Sequence, residues 1–199
     1  MKYNKERKEI ILDKELNKID KFTFDFIRII EKYVDYVIIS GYVSILLGRS
    51  RATENVDIFI KKIPKAKFIS MYKDLIENDF WCINSDNIDT IFDYIDEGIA
   101  IRFARGRIPL PNIKVKFPKD ELDGDAFNDS ISVKLPVGDM NISSLERHIA
   151  FKRYFLGDDK DNEDALHVEE LFKEDIDYEK IKKLKGLIKL RQYEIRKRR

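Results

Sequence analysis

Apolar residues in the N-terminal part of the chain recur first at helical and then at strand spacing. Leu16, Ile19, Phe22, Phe26, Ile27, Ile29 and Ile30 share one helical face, which predicts an amphipathic helix over residues 14–33. The run Tyr36-Val37-Ile38-Ile39 is β-branched and wholly apolar, as in a strand buried on both faces. Ser40-Gly41 interrupts it, and residues 42–47 read as a short helix closed near Gly48. A polar connector, 49–54, then leads to residues 55–60, where Val56, Ile58 and Ile60 alternate with Asn55, Asp57 and Phe59 as in a second strand.

Pro64 suits the first turn of a helix reaching about residue 78. Residues 87–95 are again amphipathic and stop at Gly98. Residues 99–105 and 113–117 predict two strands joined by a loop holding Pro109 and Pro111, and 131–135 a third. After Asn141 the period becomes helical. Ser143 or Ser144 caps a helix to residue 156, Gly157 ends it, and helices over 160–172 and 178–195 follow. Without internal repeats or low-complexity linkers, the pattern divides the chain into three parts. Residues 1–33 hold an N-terminal helix packing on the core, 34–140 an α/β core, and 141–199 a C-terminal helical lobe.

Composition narrows the class. Hydrophobic content of 43% supplies a real core and excludes global disorder, while 38% charged residues exceeds the usual quarter. The abundance of Lys, Glu and Ile suits a hot-growing or an AT-rich organism and does not separate them. Formal net charge is +1, so nothing global announces a nucleic-acid or membrane partner. The exception is the C-terminus, where Lys180, Lys182, Lys183, Lys185, Lys189, Arg191, Arg196, Lys197, Arg198 and Arg199 are opposed only by Glu194. Two readings stay open there: a packed helix with solvated lysines, or a surface for RNA phosphates. The single cysteine, Cys82, excludes an intrachain disulfide framework. No apolar run approaches membrane-spanning length, and the N-terminus lacks a signal-like apolar stretch, so a soluble cytoplasmic protein is expected.

Chemistry concentrates in residues 41–60. A strand, a glycine turn at Gly41 and a helix N-terminus present free backbone N–H groups suited to phosphates. Asn55 and Asp57 lie two apart on a strand, so both side chains face one ligand. Arg49, Ser50, Arg51 and Thr53 approach the same space from the connector. Oxygen ligands for magnesium beside donors for a departing phosphate are what phosphoryl transfer needs. His148 and His167 have no nucleophile or metal ligand at a recognisable spacing and are expected to be non-catalytic.

The segment Arg51-Ala-Thr53-Glu-Asn55-Val-Asp57 resembles the Arg-x-Thr-x-Asp-hydrophobic-Asp pattern of the nucleotidyltransferase superfamily, especially small prokaryotic members related to abortive-infection toxins. Ile149-Ala-Phe-Lys152 and Lys160-Asp161-Asn-Glu-Asp164 resemble the helical lysine and Lys-Asp-x-x-Asp segment that follow the sheet in those proteins. The resemblance implies a mixed α/β (α+β) fold, with a small mixed sheet flanked by helices and a C-terminal helical lobe. It implies Asp57 and Asn55 as catalytic metal ligands, with Gly41, Arg49, Ser50, Arg51, Thr53, Lys152, Lys160 and Asp161 around the nucleotide. The cofactors implied are Mg2+ and a nucleoside triphosphate, whose nucleoside monophosphate passes to an acceptor.

Two departures alter the expectation. Asparagine stands at 55 where the superfamily has aspartate. The third carboxylate, which a later strand supplies, has only Arg102, Lys114 or Lys116 as candidates. A lysine binds a phosphate but not magnesium. Transfer is therefore expected to be weak or degenerate. The alternatives are a non-catalytic nucleotide- or RNA-binding protein, or a toxin–antitoxin-like partner, on the same fold.

Overall fold

A computed structural model describes residues 1–197; Arg198 and Arg199 of the basic terminus lie outside the described residues. The strands are β1 (Lys2–Asn4), β2 (Glu9–Ile11), β3 (Tyr36–Ile39), β4 (Asn55–Ile60), β5 (Phe80–Cys82), β6 (Ile101–Arg105), β7 (Ile108–Lys116), β8 (Ile131–Leu135) and β9 (Gly138–Ile142). The helices are α1 (Lys18–Ile30), α2 (Gly41–Leu46), α3 (Lys65–Glu77), α4 (Ile88–Asp96), α5 (Glu121–Gly124), α6 (Leu145–Phe151), α7 (Asp159–Leu171) and α8 (Tyr178–Lys197). Among the described residues the strands form one nine-stranded mixed sheet in the order β1-β2-β8-β9-β3-β4-β7-β6-β5.

The apolar run of β3 sits inside this sheet, between β9 and β4, as its burial on both faces requires. β4 runs antiparallel to β3, with Ile39 opposite Asp57, and parallel to β7, with Asp57 opposite Lys114. The alternation on β4 separates two faces. Val56, Ile58 and Ile60 join the main core, where Phe26 of α1 lies 5.2 Å from Phe80 and 5.4 Å from Phe103. Phe59 faces the other way and packs with Val37 and Ala126. Asp57, two residues before Phe59, shares that second face.

The mixed α/β architecture is the one the family resemblance implies, and the periodicity predicts its α/β core followed by helices; the sheet is larger than expected. The N-terminal segment, read as a single helix, places β1 and β2 ahead of α1, and β2 pairs in parallel with β8. β5 and β9 are also additions. β7 begins at Ile108, so Pro109 and Pro111 lie within a strand rather than a loop. Its pairing with β4 begins only at Asn112, so neither proline owes that neighbour an N–H. The helix expected to reach residue 156 is α-helical only through Phe151. A wider π-helical turn, Lys152–Leu156, follows and ends at left-handed Gly157, whose φ is 77°.

A buried polar node ties α1 to the strand–turn–helix segment. Asn17 and Asp20 form a reciprocal capping box at the start of α1. Asp20 is fully buried and also accepts from the Tyr42 hydroxyl at 2.8 Å, with the Lys14 ammonium at 2.9 Å. Tyr42→Phe removes one donor to a buried carboxylate while keeping the ring. Its expected cost is about 1–2 kcal/mol in urea unfolding, and an unchanged midpoint would show that Tyr42 contributes only packing.

Candidate functional site

The second face of β4 is one wall of a cavity of about 350 Å³. Asp57 has a side chain 18% exposed, and the Lys114 ammonium stands 3.8 Å from its Oδ1. Lys116, two residues along β7, lies over the Phe59 ring with Nζ 5.0 Å from the centroid. Burial pushes the Lys116 ammonium below its ordinary value; nearby Lys114 adds to this, and Asp57 opposes it.

The helical lobe forms the facing wall. Phe151, Phe155 and Leu156 give it an apolar surface. Two arginines clasp the short α5 across the cavity. Arg191 of α8 donates to Asp123 at 2.7 Å and pairs with Asp120 at 3.0 Å. Arg147 of α6 donates to the Leu122 carbonyl at 2.7 Å and pairs with Asp129 at 3.2 Å. Arg147 carried no sequence signal and Arg191 stood out only as one of the C-terminal cations, because each acts through partners on a distant element.

The residues singled out from the sequence divide into three groups. Asp57 and Lys152 line the cavity, whereas Asn55 is exposed at the first position of β4, outside the lining. Arg49, Arg51 and Lys152 converge on the fully buried Asp164. Arg51 Nε and Nη2 donate to it at 2.9 and 2.8 Å, Lys152 pairs with it at 2.8 Å, and an Arg49 Nη1 donates as well. Arg49 also pairs with Glu163 at 2.5 Å, and Lys152 with Asp161. Burial alone would raise the Asp164 carboxyl, but hydrogen bonds from Arg51 and Lys152, with their charges, outweigh it and hold it at about 2.

The remaining residues serve local structure. A side chain at Gly41 would overlap the Arg51 guanidinium, so glycine here permits a close approach. Ser40, which lines the cavity, has φ 64° and ψ −149°, a region nearly confined to glycine, so the turn after β3 holds backbone strain beside the site. Thr53 donates to the Asn55 carbonyl at 3.0 Å, Ser50 and Lys160 are exposed, and the Lys160 carbonyl accepts from Arg49 at 3.0 Å. In α8 the residues Ile181, Leu184 and Ile188 are buried, and Lys180 pairs with Asp129 and Glu146. Through Lys197, α8 is thus a packed helix whose inward cations bind acids of this chain.

His148 has a partner that no local spacing could reveal. Its Nε2 lies 2.8 Å from the Ser44 Oγ, and both side chains are buried. Nδ1 has no hydrogen-bond partner among the described residues, so no carboxylate orients the ring as it would in a nucleophilic triad. Burial, with the Lys152 charge, lowers the imidazole to about 3.

A two-metal site needs several carboxylates around two close cations. Among the described residues no group of three or more His, Cys, Asp or Glu side chains is placed to hold a metal ion. Asp57 supplies one acid, Asn55 is neutral and apart, and an ammonium occupies the register position beside Asp57. The donor set does not fit that pair of metals. Nor is any described helix long and apolar enough to cross a membrane.

No family model and no curated protein matches the sequence. Among the solved structures that match in fold are two that cover most of this chain. One is an antigenic nucleotidyltransferase-like protein from Paracoccidioides brasiliensis, with 14% identity, TM-score 0.53, and 88% of each chain covered. The other is the antibiotic-resistance factor ANT(2'')-Ia, with 12% identity, TM-score 0.53, and 89% of this chain and 95% of that one covered. At this identity the likeness concerns architecture: the chain has a nucleotidyltransferase-like fold.

Two outcomes follow for stability. Asp164→Ala leaves buried cations without their shared anion and should cost roughly 3–5 kcal/mol in chemical denaturation; a loss below about 1 kcal/mol would mean that the cluster is solvated. His148 takes up a proton less readily when folded, at about 3 against an ordinary 6.5. Its contribution is therefore present above about pH 6.5 and is lost as pH falls toward about 3. Unfolding titrations near pH 7.5 and near pH 5 should differ by about 2 kcal/mol more in the wild type than in His148→Gln, and equal pH slopes would contradict the assignment.

Proposed function

We propose that the cleft between the Asp57 face of the sheet and the helical lobe binds a nucleotide by its phosphates, and that nucleotidyl transfer there is weak or absent. The observation that carries this reading is Lys114, placed directly opposite Asp57 in the β4–β7 register with its ammonium 3.8 Å from the carboxylate. In the superfamily that the sequence resembles, a later strand supplies a third acid. An ammonium in that place attracts phosphate and repels a divalent cation. The fold likeness supports a nucleotide as the ligand, as does the juxtaposition of cations with the aromatic wall of Phe151 and Phe155. The Arg51–Asp57 and Lys160–Asp164 segments support a relation to the small nucleotidyltransferases akin to abortive-infection toxins.

Chemistry is weakened because activating an acceptor hydroxyl takes a second metal, and its ligands are missing. Binding needs only charge complementarity and should survive better. Incubation with labelled nucleoside triphosphates, with total RNA and protein as acceptors, tests this beside an Asp57→Ala control. Measurable nucleotide binding with little or no label transfer is expected. Robust transfer that disappears in Asp57→Ala would overturn the reading in favour of an active transferase. Replacing Lys114, which stands opposite Asp57, and its strand neighbour Lys116 by aspartate should raise magnesium affinity, read by calorimetry, by roughly tenfold or more. An unchanged affinity would show that these strand positions do not converge on one site.

A further inference from the structure

We infer that lysines replace the metal ion at this site: Lys114, Lys116 and Lys119 bind a phosphate chain directly, and binding does not require magnesium. The inference rests on the nucleotide-binding reading above and specifies its chemistry.

The argument starts from which cations around the cavity are already neutralised. Arg147 is held by Asp129, Arg191 by Asp120 and Asp123, and Lys152 by Asp161 and Asp164. These three are fixed by acids of this chain. Among the described residues Lys114 has only Asp57, at 3.8 Å, beyond hydrogen-bonding distance. Lys116 and Lys119 line the same cavity and are in no ion pair among the described residues. Uncompensated positive charge therefore lies along β7 and the residues just after it.

Position strengthens the case. Lys114 and Lys116 share one face of a strand, about 7 Å apart along it, and so offer successive contacts to an extended anionic chain. Lys116 is half-buried on the Phe59 ring, which limits its freedom and reduces the entropy lost on binding. A divalent cation entering beside Asp57 would meet two ammonium groups and one carboxylate. A bare phosphate chain would meet the same groups with the opposite sign of energy. Magnesium-bound triphosphate carries less negative charge and should gain less from these lysines than the free anion.

Calorimetric titration of the full chain with ATP and with inorganic tripolyphosphate, each in EDTA and in excess magnesium chloride, tests the inference. ATP should bind in EDTA at least as tightly as in magnesium, and tripolyphosphate should bind in EDTA. Lys116→Met and Lys119→Met should each weaken binding in EDTA by roughly tenfold, while Lys116→Arg should retain most of it. Lys119 is exposed, so its variant keeps the test open should Lys116→Met disturb folding. Binding of ATP only in magnesium would overturn this inference and leave the nucleotide reading in place. Failure of ATP to bind under either condition would overturn both. ATP binding in EDTA without tripolyphosphate binding would place the affinity on the base and sugar, and would equally overturn the lysine assignment, as would full affinity in both methionine variants.

Discussion

A carboxylate without solvent exposure stays ionised only where cations come to it, and Asp164 has Arg49, Arg51 and Lys152. Burying such charges costs several kcal/mol per ion before their attraction is counted, so each partner left alone would be strongly unfavourable. Asp164 lies on α7, two of its cations lie on the connector before β4, and the third begins the π-helical turn after α6. One anion therefore fixes three separate segments relative to one another. Gly41 belongs to the same arrangement, because Arg51 reaches Asp164 across a backbone that carries no side chain.

The cleft is a consequence of that docking. With α7 and the π-helical turn held against the connector, Phe151, Phe155 and Leu156 face the Asp57 side of the sheet. Arg147 and Arg191 then grip α5 and close a further side. The arrangement holds half of the cations lining the cavity, Arg147, Lys152 and Arg191, in internal pairs. Lys114 and Lys116 on β7, and Lys119 just after it, have no hydrogen-bonded acid among the described residues. Beside Asp57 stand ammonium groups rather than further carboxylates. A fold supports many chemistries, so the charge of the residues beside Asp57, and not the architecture, bears on which of them this site can perform.

Much of the architecture was legible because local periodicity reports burial directly. The apolar run 36–39, the alternation over 55–60 and the helical spacing of α1, α3, α4 and α7 each carry their own signal. β1, β2 and β5 did not, since three residues are too few to show a period. β9, Gly-Asp-Met-Asn-Ile, is polar and owes its strand conformation to β8 and β3 on either side. At the site, the period of two placed Asn55 and Asp57 on one face, and the resemblance left Arg102, Lys114 or Lys116 at the place of a third acid. The choice of Lys114 belongs to the register between β4 and β7, which pairs residues far apart in sequence.

The destination of the cations shows the same division. Arg49 and Arg51 sit on the connector beside the strand–turn–helix segment, and the family resemblance adds Lys152 to the same space. Whether they face a ligand or an internal acid depends on where α7 docks, more than 100 residues downstream of Arg51. Likewise the Ser44–His148 pair and the Arg191–Asp123 bridge join residues with no local relation. The sequence by itself determined the strand–turn–helix–strand core, with Asp57 on its second strand and lysines rather than acids at 114 and 116, because these follow from residue type and short-range period. Only the tertiary structure decided which charges are neutralised and which are free, because an ion pair is set by distance in space and its strength by the water that packing removes.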